Sequence, residues 1–143
     1  MNVFGEIVKN LNNDVDISDF SSLSLSYIGD SVYETVVRSI VLSYGNNKVE
    51  KLHKIVSNIS NAASQAQISD LIIDKLTDEE VDVFKRARNA SKHSRAKHQS
   101  IADYKKSTGF EALIGWLYLK GDDKRILELV SSYVVSKIEE FNL

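Results

Sequence analysis

Leu25-Ser26-Tyr27-Ile28-Gly29-Asp30-Ser31-Val32-Tyr33-Glu34 decides how the chain folds. The apolar positions Leu25, Ile28, Val32, Val36, Ile40 and Tyr44 recur at spacings of three and four. That is the period of a helix with one buried face. A polar column, Ser26, Asp30, Glu34 and Arg38, runs beside it at strict four-residue spacing. Residues four apart stack on a helix, so Asp30 sits between a hydroxyl and a second carboxylate. Gly29 costs about 1 kcal/mol against alanine in a helix interior, which points to a close backbone approach there. A surface aspartate on an ordinary amphipathic helix is the alternative for Asp30.

Outward from this helix the sequence continues to read as helix. On its N-terminal side, Val3, Phe4, Ile7, Val8 and Leu11 suggest a weak helix, followed by the loop Asn12-Asn13-Asp14-Val15-Asp16. Ser18, Ser21 and Ser22 are all candidate N-caps. On its C-terminal side, Tyr44-Gly45-Asn46-Asn47 supplies a left-handed stop. Val49, Leu52, Ile55 and Val56 mark a third helix. After a break near Asn58 to Asn61, Ala62, Ala63, Ala66, Leu71, Ile72 and Leu76 mark a fourth. Thr77-Asp78-Glu79-Glu80 is a capping box opening a fifth, with Val81, Phe84 and Ala87 inward. Phe110, Leu113, Ile114, Leu117 and Tyr118 form a sixth, stopped at Gly121-Asp122-Asp123. A long stripe from Ile126 to Phe141 forms the last, as core or dimer packing. No stretch alternates as a strand, proline is absent and only 6 glycines occur. The expectation is an all-α helical bundle, residues 1–143 forming a single domain.

Composition narrows the function classes. Hydrophobic content of 43% and charged content of 27% suit a soluble globular protein. No apolar run is long enough to span a membrane, and Met1-Asn2-Val3-Phe4-Gly5-Glu6 lacks the basic start of a secretory signal. With no cysteine, disulfides and thiolate zinc sites are excluded, and a cytoplasmic location is expected. A net charge of −2 hides a strong segregation. Between Lys85 and Lys106 lie eight basic residues and one acid, Asp103, so this segment carries +7 and the rest of the chain −9. A one-signed segment on an acidic protein reads as a nucleic-acid face. Its candidate contacts are Lys85, Arg86, Arg88, Asn89, Lys92, His93, Arg95, Lys97 and His98. From Asn89 to Ser100 no large apolar residue occurs, so the stretch is an exposed loop or a loose helix end. His93 and His98, five apart, make a poor metal pair and are assigned to phosphate or base contact. A solvated charged linker is the alternative.

Glu111 is the only charge in the thirteen residues Ser107 to Leu119. An ionised carboxylate in so apolar a helix needs a cation, a metal or several donors. A satisfied structural glutamate is the other reading.

Two helices, each presenting one inward carboxylate and joined by a basic stretch, make a coherent site. Tyr27-Ile28-Gly29-Asp30-Ser31-Val32-Tyr33-Glu34 resembles the signature helix of the ribonuclease III family. Ser107-Thr108-Gly109-Phe110-Glu111-Ala112-Leu113-Ile114-Gly115 resembles that family's second catalytic helix. Lys85-Arg86-Ala87-Arg88-Asn89-Ala90 and Leu52-His53-Lys54 are similar to the Mini-ribonuclease III branch, which lacks a double-stranded-RNA-binding domain. The match covers roughly residues 20 to 135 in the same order.

The resemblance implies an all-helical, homodimeric endoribonuclease that cuts double-stranded RNA with Mg²⁺ and leaves 5′-phosphate and 3′-hydroxyl ends. For the branch it implies maturation of the ends of precursor 23S ribosomal RNA. Asp30 and Glu111 match the family's two essential acids, and by resemblance they are the catalytic residues and Mg²⁺ ligands. Two further acids of the larger enzymes would fall at Ser26 and Thr108, neither of which can be a charged ligand. Mg²⁺ is often held by one or two carboxylates with its waters, so the mechanism survives that loss. The resemblance and Gly29 together lead us to expect the Leu25 to Val36 helix to cross its symmetry mate near Gly29. The competing class is a non-catalytic helical dimer that binds structured RNA, such as a ribosome-assembly factor.

Overall fold

Side chains set the start of most helices. In the computed structural model, which describes residues 2–92 and 100–142, every regular element is helical. Asn2 Oδ1 accepts from Gly5 N at 2.8 Å and opens α1 (Val3–Leu11). Of the three candidate serines, Ser21 is the cap: its Oγ accepts from Ser24 N at 3.1 Å and opens α2 (Ser22–Leu42). That helix stops short of Gly45, whose φ of +113° takes the left-handed turn that glycine tolerates. Asn61 separates α3 (Val49–Ser60) from α4 (Ala62–Ile72), its Oδ1 accepting from Ser64 N at 2.8 Å. Thr77 and Glu80 form the capping box of α5 (Asp78–Ala90), with reciprocal bonds of 3.2 and 2.8 Å. Ser100 opens α6 (Ile101–Leu119), and Asp122 opens α7 (Asp123–Glu139).

The central element is α6. Apart from Glu111, which is half-buried, every residue from Ser107 to Gly115 is buried, with α2, α4 and α5 packed around the helix. Phe110 meets the Tyr33 ring edge-on at 4.8 Å, at the centre of a core that includes Ile55, Ile59, Leu113, Ile114 and Val130. The Tyr33 hydroxyl reaches the Ile59 carbonyl at 3.4 Å, which lets a tyrosine be fully buried. At the far edge, Arg125 on α7 grips Glu80 through two bonds of 2.9 and 2.8 Å and donates to the Lys75 carbonyl. This guanidinium holds the Glu80 carboxyl below its usual range and ties the start of α5 to α7.

One expectation changes. The buried stripe of α2 is Leu25, Gly29, Tyr33, Val37 and Val41, one step round from the expected face. Ile28, Val32, Val36 and Ile40 are only half-buried, and Tyr44 is exposed. The reason is that the tightest contact of α2 is made by Gly29, and Tyr33 fills the space one turn further on. The close approach expected at Gly29 is made by α6 of the same chain. A Cβ on Gly29 would lie 1.6 Å from the Glu111 carbonyl oxygen, and a Cβ on Gly115 would lie 2.0 Å from the Leu25 carbonyl oxygen. Each glycine removes the one group that would hold the two main chains apart.

Candidate active site

Because Gly29 rests on the main chain of Glu111, the next residue along α2, Asp30, lies beside that glutamate. Eighty-odd residues of sequence are thus closed by one helix crossing. Asp30 is exposed and Glu111 is half-buried. The two carboxyls face each other, and the Ser26 hydroxyl and the Gln65 amide lie beside Glu111. Burial, together with the neighbouring Asp30 carboxylate, pushes the Glu111 carboxyl up to about 9. Ser26 and Gln65 act against that rise by donating to the charged form. Without a cation, then, Glu111 keeps its proton at neutral pH.

The donor set is two carboxylates with hydroxyl and amide groups around them. All are hard oxygen or neutral nitrogen groups, suited to Mg²⁺ and not to a thiophilic ion. Among the described residues no group of three His, Cys, Asp or Glu is placed to hold a metal. A cation at this pair would therefore keep most of its shell as water or substrate oxygen.

The remaining expected residues fall into separate groups. Glu34 pairs with Arg38 at 3.5 Å on the surface of α2, an i,i+4 ion pair. Thr108 is buried: it donates to the Tyr104 carbonyl at 3.0 Å, and its hydroxyl lies 3.1 Å from that of Ser91. Lys85, Arg86, Arg88 and Asn89 occupy the last turns of α5, which continues through the first residues of the expected loop. Lys92 is exposed just beyond it. Arg86 is bound by Asp82 one turn back, and Arg88 lies over the Phe84 ring with its Nε 3.4 Å from Asn89 Oδ1. Lys106, inside the same basic segment, pairs with Asp70 of α4 at 2.9 Å. His93, Arg95, Lys97 and His98 lie outside the described residues.

Gln65 is the site residue that the sequence did not reveal. It sits in a run of small and polar residues, Ala62-Ala63-Ser64-Gln65-Ala66, whose period marks a helix but singles out none of its members. Its signal was burial: it is 3% exposed, and a buried amide must find partners.

Comparison with known proteins agrees with this geometry. The Ribonuclease III domain family matches residues 23–122, a span holding both acids, both crossing glycines and Gln65. A Mini-ribonuclease 3 of Clostridium tetani is 40% identical over 126 residues, 87% of this chain and 83% of that protein. A Mini-ribonuclease 3 of Enterococcus faecalis is 34% identical over 129 residues, 89% of this chain and 97% of its own. A crystal structure of a Fusobacterium nucleatum protein superposes with a TM-score of 0.76 at 31% identity, covering 87% of this chain and 99% of that one. Two acids at a glycine crossing, the all-helical frame around them and relatives matched over most of their length place this chain in the ribonuclease III family.

Proposed function

We propose that this chain, an endoribonuclease of the ribonuclease III family, cuts double-stranded RNA in a Mg²⁺-dependent reaction at Asp30 and Glu111. The observation that carries the reading is the meeting of these two carboxyls where α2 crosses α6, with burial and Asp30 raising the Glu111 carboxyl. A divalent cation held there would polarise the scissile phosphate and acidify a water for in-line attack. The chain's own part is distinct. Asp30 and Glu111 would hold the cation, with Glu111 as the carboxyl that must lose its proton for it. Lys85, Arg86, Arg88, Asn89 and Lys92, with His93, Arg95, Lys97 and His98, contact the duplex backbone, which proteins read mostly by shape, phosphate and 2′-hydroxyl.

By analogy with its relatives we assign the chain to maturation of the ends of precursor 23S ribosomal RNA in the cytoplasm, with residues 1–143 acting as one catalytic domain. No helix among the described residues is long and apolar enough to cross a membrane. We further propose a homodimer, which would set one site against each strand of a duplex. Exposed apolar surface on α2 supports it. Tyr27 is 83% exposed, and a groove of about 460 Å³ runs between α2 and α7, lined by Val3, Ile28, Val32, Val36, Ile126 and Leu127.

The test is incubation of duplex RNA with the pure protein and Mg²⁺, with and without chelator. Cleavage that needs Mg²⁺ and leaves 5′-phosphates is expected. Salt-sensitive binding without cleavage would instead favour the non-catalytic RNA-binding dimer. Sedimentation as a fully active monomer of 16.1 kDa would remove the dimer.

A further inference from the structure

Gln65 does two things at once. Its Nε2 donates to the Ser60 carbonyl at 3.1 Å, at the junction of α3 and α4, and its amide lies beside the Glu111 carboxyl and favours the charged form. The Ser60 bond decides which way the amide faces. Were it flipped, two oxygens would oppose one another at 3.1 Å, so Nε2 is fixed toward Ser60 and its second proton is the one available to Glu111. The junction beneath is rigid. Ser64 Oγ donates to the Asn58 carbonyl at 2.7 Å, Asn61 caps α4, and Gln65 N donates to the Asn61 carbonyl at 3.0 Å. Gln65 is a polar side chain almost fully buried, joining a fixed backbone corner to one carboxyl of the site.

We infer that Gln65 is the positioning residue of this site, its amide locked by the Ser60 carbonyl so that it holds the Glu111 carboxylate beside Asp30 in the orientation a divalent cation requires. The need follows from the donor set. With Ser26 and Thr108 unable to serve as charged ligands, each carboxylate carries more of the cation's orientation. A glutamate side chain left to rotate about its three single bonds would lose the pairing with Asp30. A neutral donor fixes its direction without competing for the cation, as outer partners of metal-binding carboxylates do. The inference rests on the metal-site reading above.

The experiment is calorimetric titration of the full chain with Mn²⁺ alone, without RNA, for the wild type, Asp30→Asn, Gln65→Met and Gln65→Asn. Methionine fills a similar volume with no donor, and asparagine keeps the amide but is one methylene too short to span from Ser60 to Glu111. Both Gln65 variants should bind Mn²⁺ about ten-fold more weakly. In cleavage assays the Mg²⁺ concentration for half-maximal rate should rise by the same factor, while the rate at saturating Mg²⁺ stays within about two-fold of wild type. If Gln65→Met fails to fold, Gln65→Asn carries the test. Wild-type Mn²⁺ affinity in a folded Gln65 variant, with Asp30→Asn binding none, overturns the positioning role and leaves the metal site standing. Equal Mn²⁺ affinity in wild type and Asp30→Asn overturns both. A loss of thermal stability with unchanged Mn²⁺ affinity would assign Gln65 to helix packing only.

Discussion

Replacing Glu111 by Gln should make the metal-free protein more stable at neutral pH. The carboxyl has an ordinary value of 4.5 and is pushed up to about 9 in the fold, first by burial and then by Asp30. Between those values the folded state holds a proton that the unfolded state has released. Stability therefore falls as pH rises from 4.5 toward 9 and levels off above it. From pH 4.5 to pH 7, at 1.36 kcal/mol per pH unit, the penalty would reach about 3 kcal/mol. Solvent reaching the half-buried group lowers that to about 2 kcal/mol. Glutamine keeps the shape and cannot ionise, so it escapes the penalty. Urea unfolding in the presence of chelator should show Glu111→Gln and wild type alike near pH 4.5, with the variant ahead by about 2 kcal/mol at pH 7. Added Mg²⁺ should stabilise only the wild type and release about one proton on binding. Two curves that run parallel from pH 4.5 to pH 8.5 would falsify the assignment of a raised carboxyl at Glu111. Lower stability of the variant at every pH would restore the structural-glutamate reading.

Four further outcomes follow from the same geometry. Asp30→Asn should leave the fold intact and RNA binding at least as tight, while turnover drops by about a thousand-fold, read by single-turnover cleavage of a labelled duplex. Gly29→Ala puts a methyl where the Glu111 carbonyl stands, so a loss of about 3 kcal/mol or more in urea unfolding should accompany impaired Mn²⁺ binding. Glu34→Gln removes only a surface pair worth about 0.3–0.5 kcal/mol and should retain most of the activity, which the same cleavage assay checks. Alanine at Arg86, Arg88, Lys92, Arg95 and Lys97 together should weaken duplex binding and flatten its dependence on salt, whatever the RNA sequence; unchanged affinity and slope would make the segment a solvated linker.

Much of this was legible in the residues because it depended on local chemistry. Thr77 with Glu80 and Gly121 with Asp122 announced helix ends through bonds made within a few residues. Glu111 stood out because a lone charge in an apolar helix has to be explained by something outside that helix. What could not be read depended on partners distant in the chain. The spacing of α2 fitted two neighbouring stripes equally well, and only its contact with α6 chose Tyr33 over Val32. Gly29 announced a close approach without naming what approached, although Gly115, four residues after Glu111, was the matching half. Gln65 gave no periodic signal at all, since its roles are set by the Ser60 carbonyl and by a carboxyl forty-six positions away.

The crossing of α2 and α6 also governs how freely this protein can vary. The spacing of its two acids is gauged where main chain touches main chain, with no side chain interposed to be enlarged or trimmed. Methyl groups around Tyr33 or Leu113 can be exchanged over generations without altering that gauge. Positions 29 and 115 set the main-chain part of it, and any residue other than glycine there can reset it in one direction alone, wider.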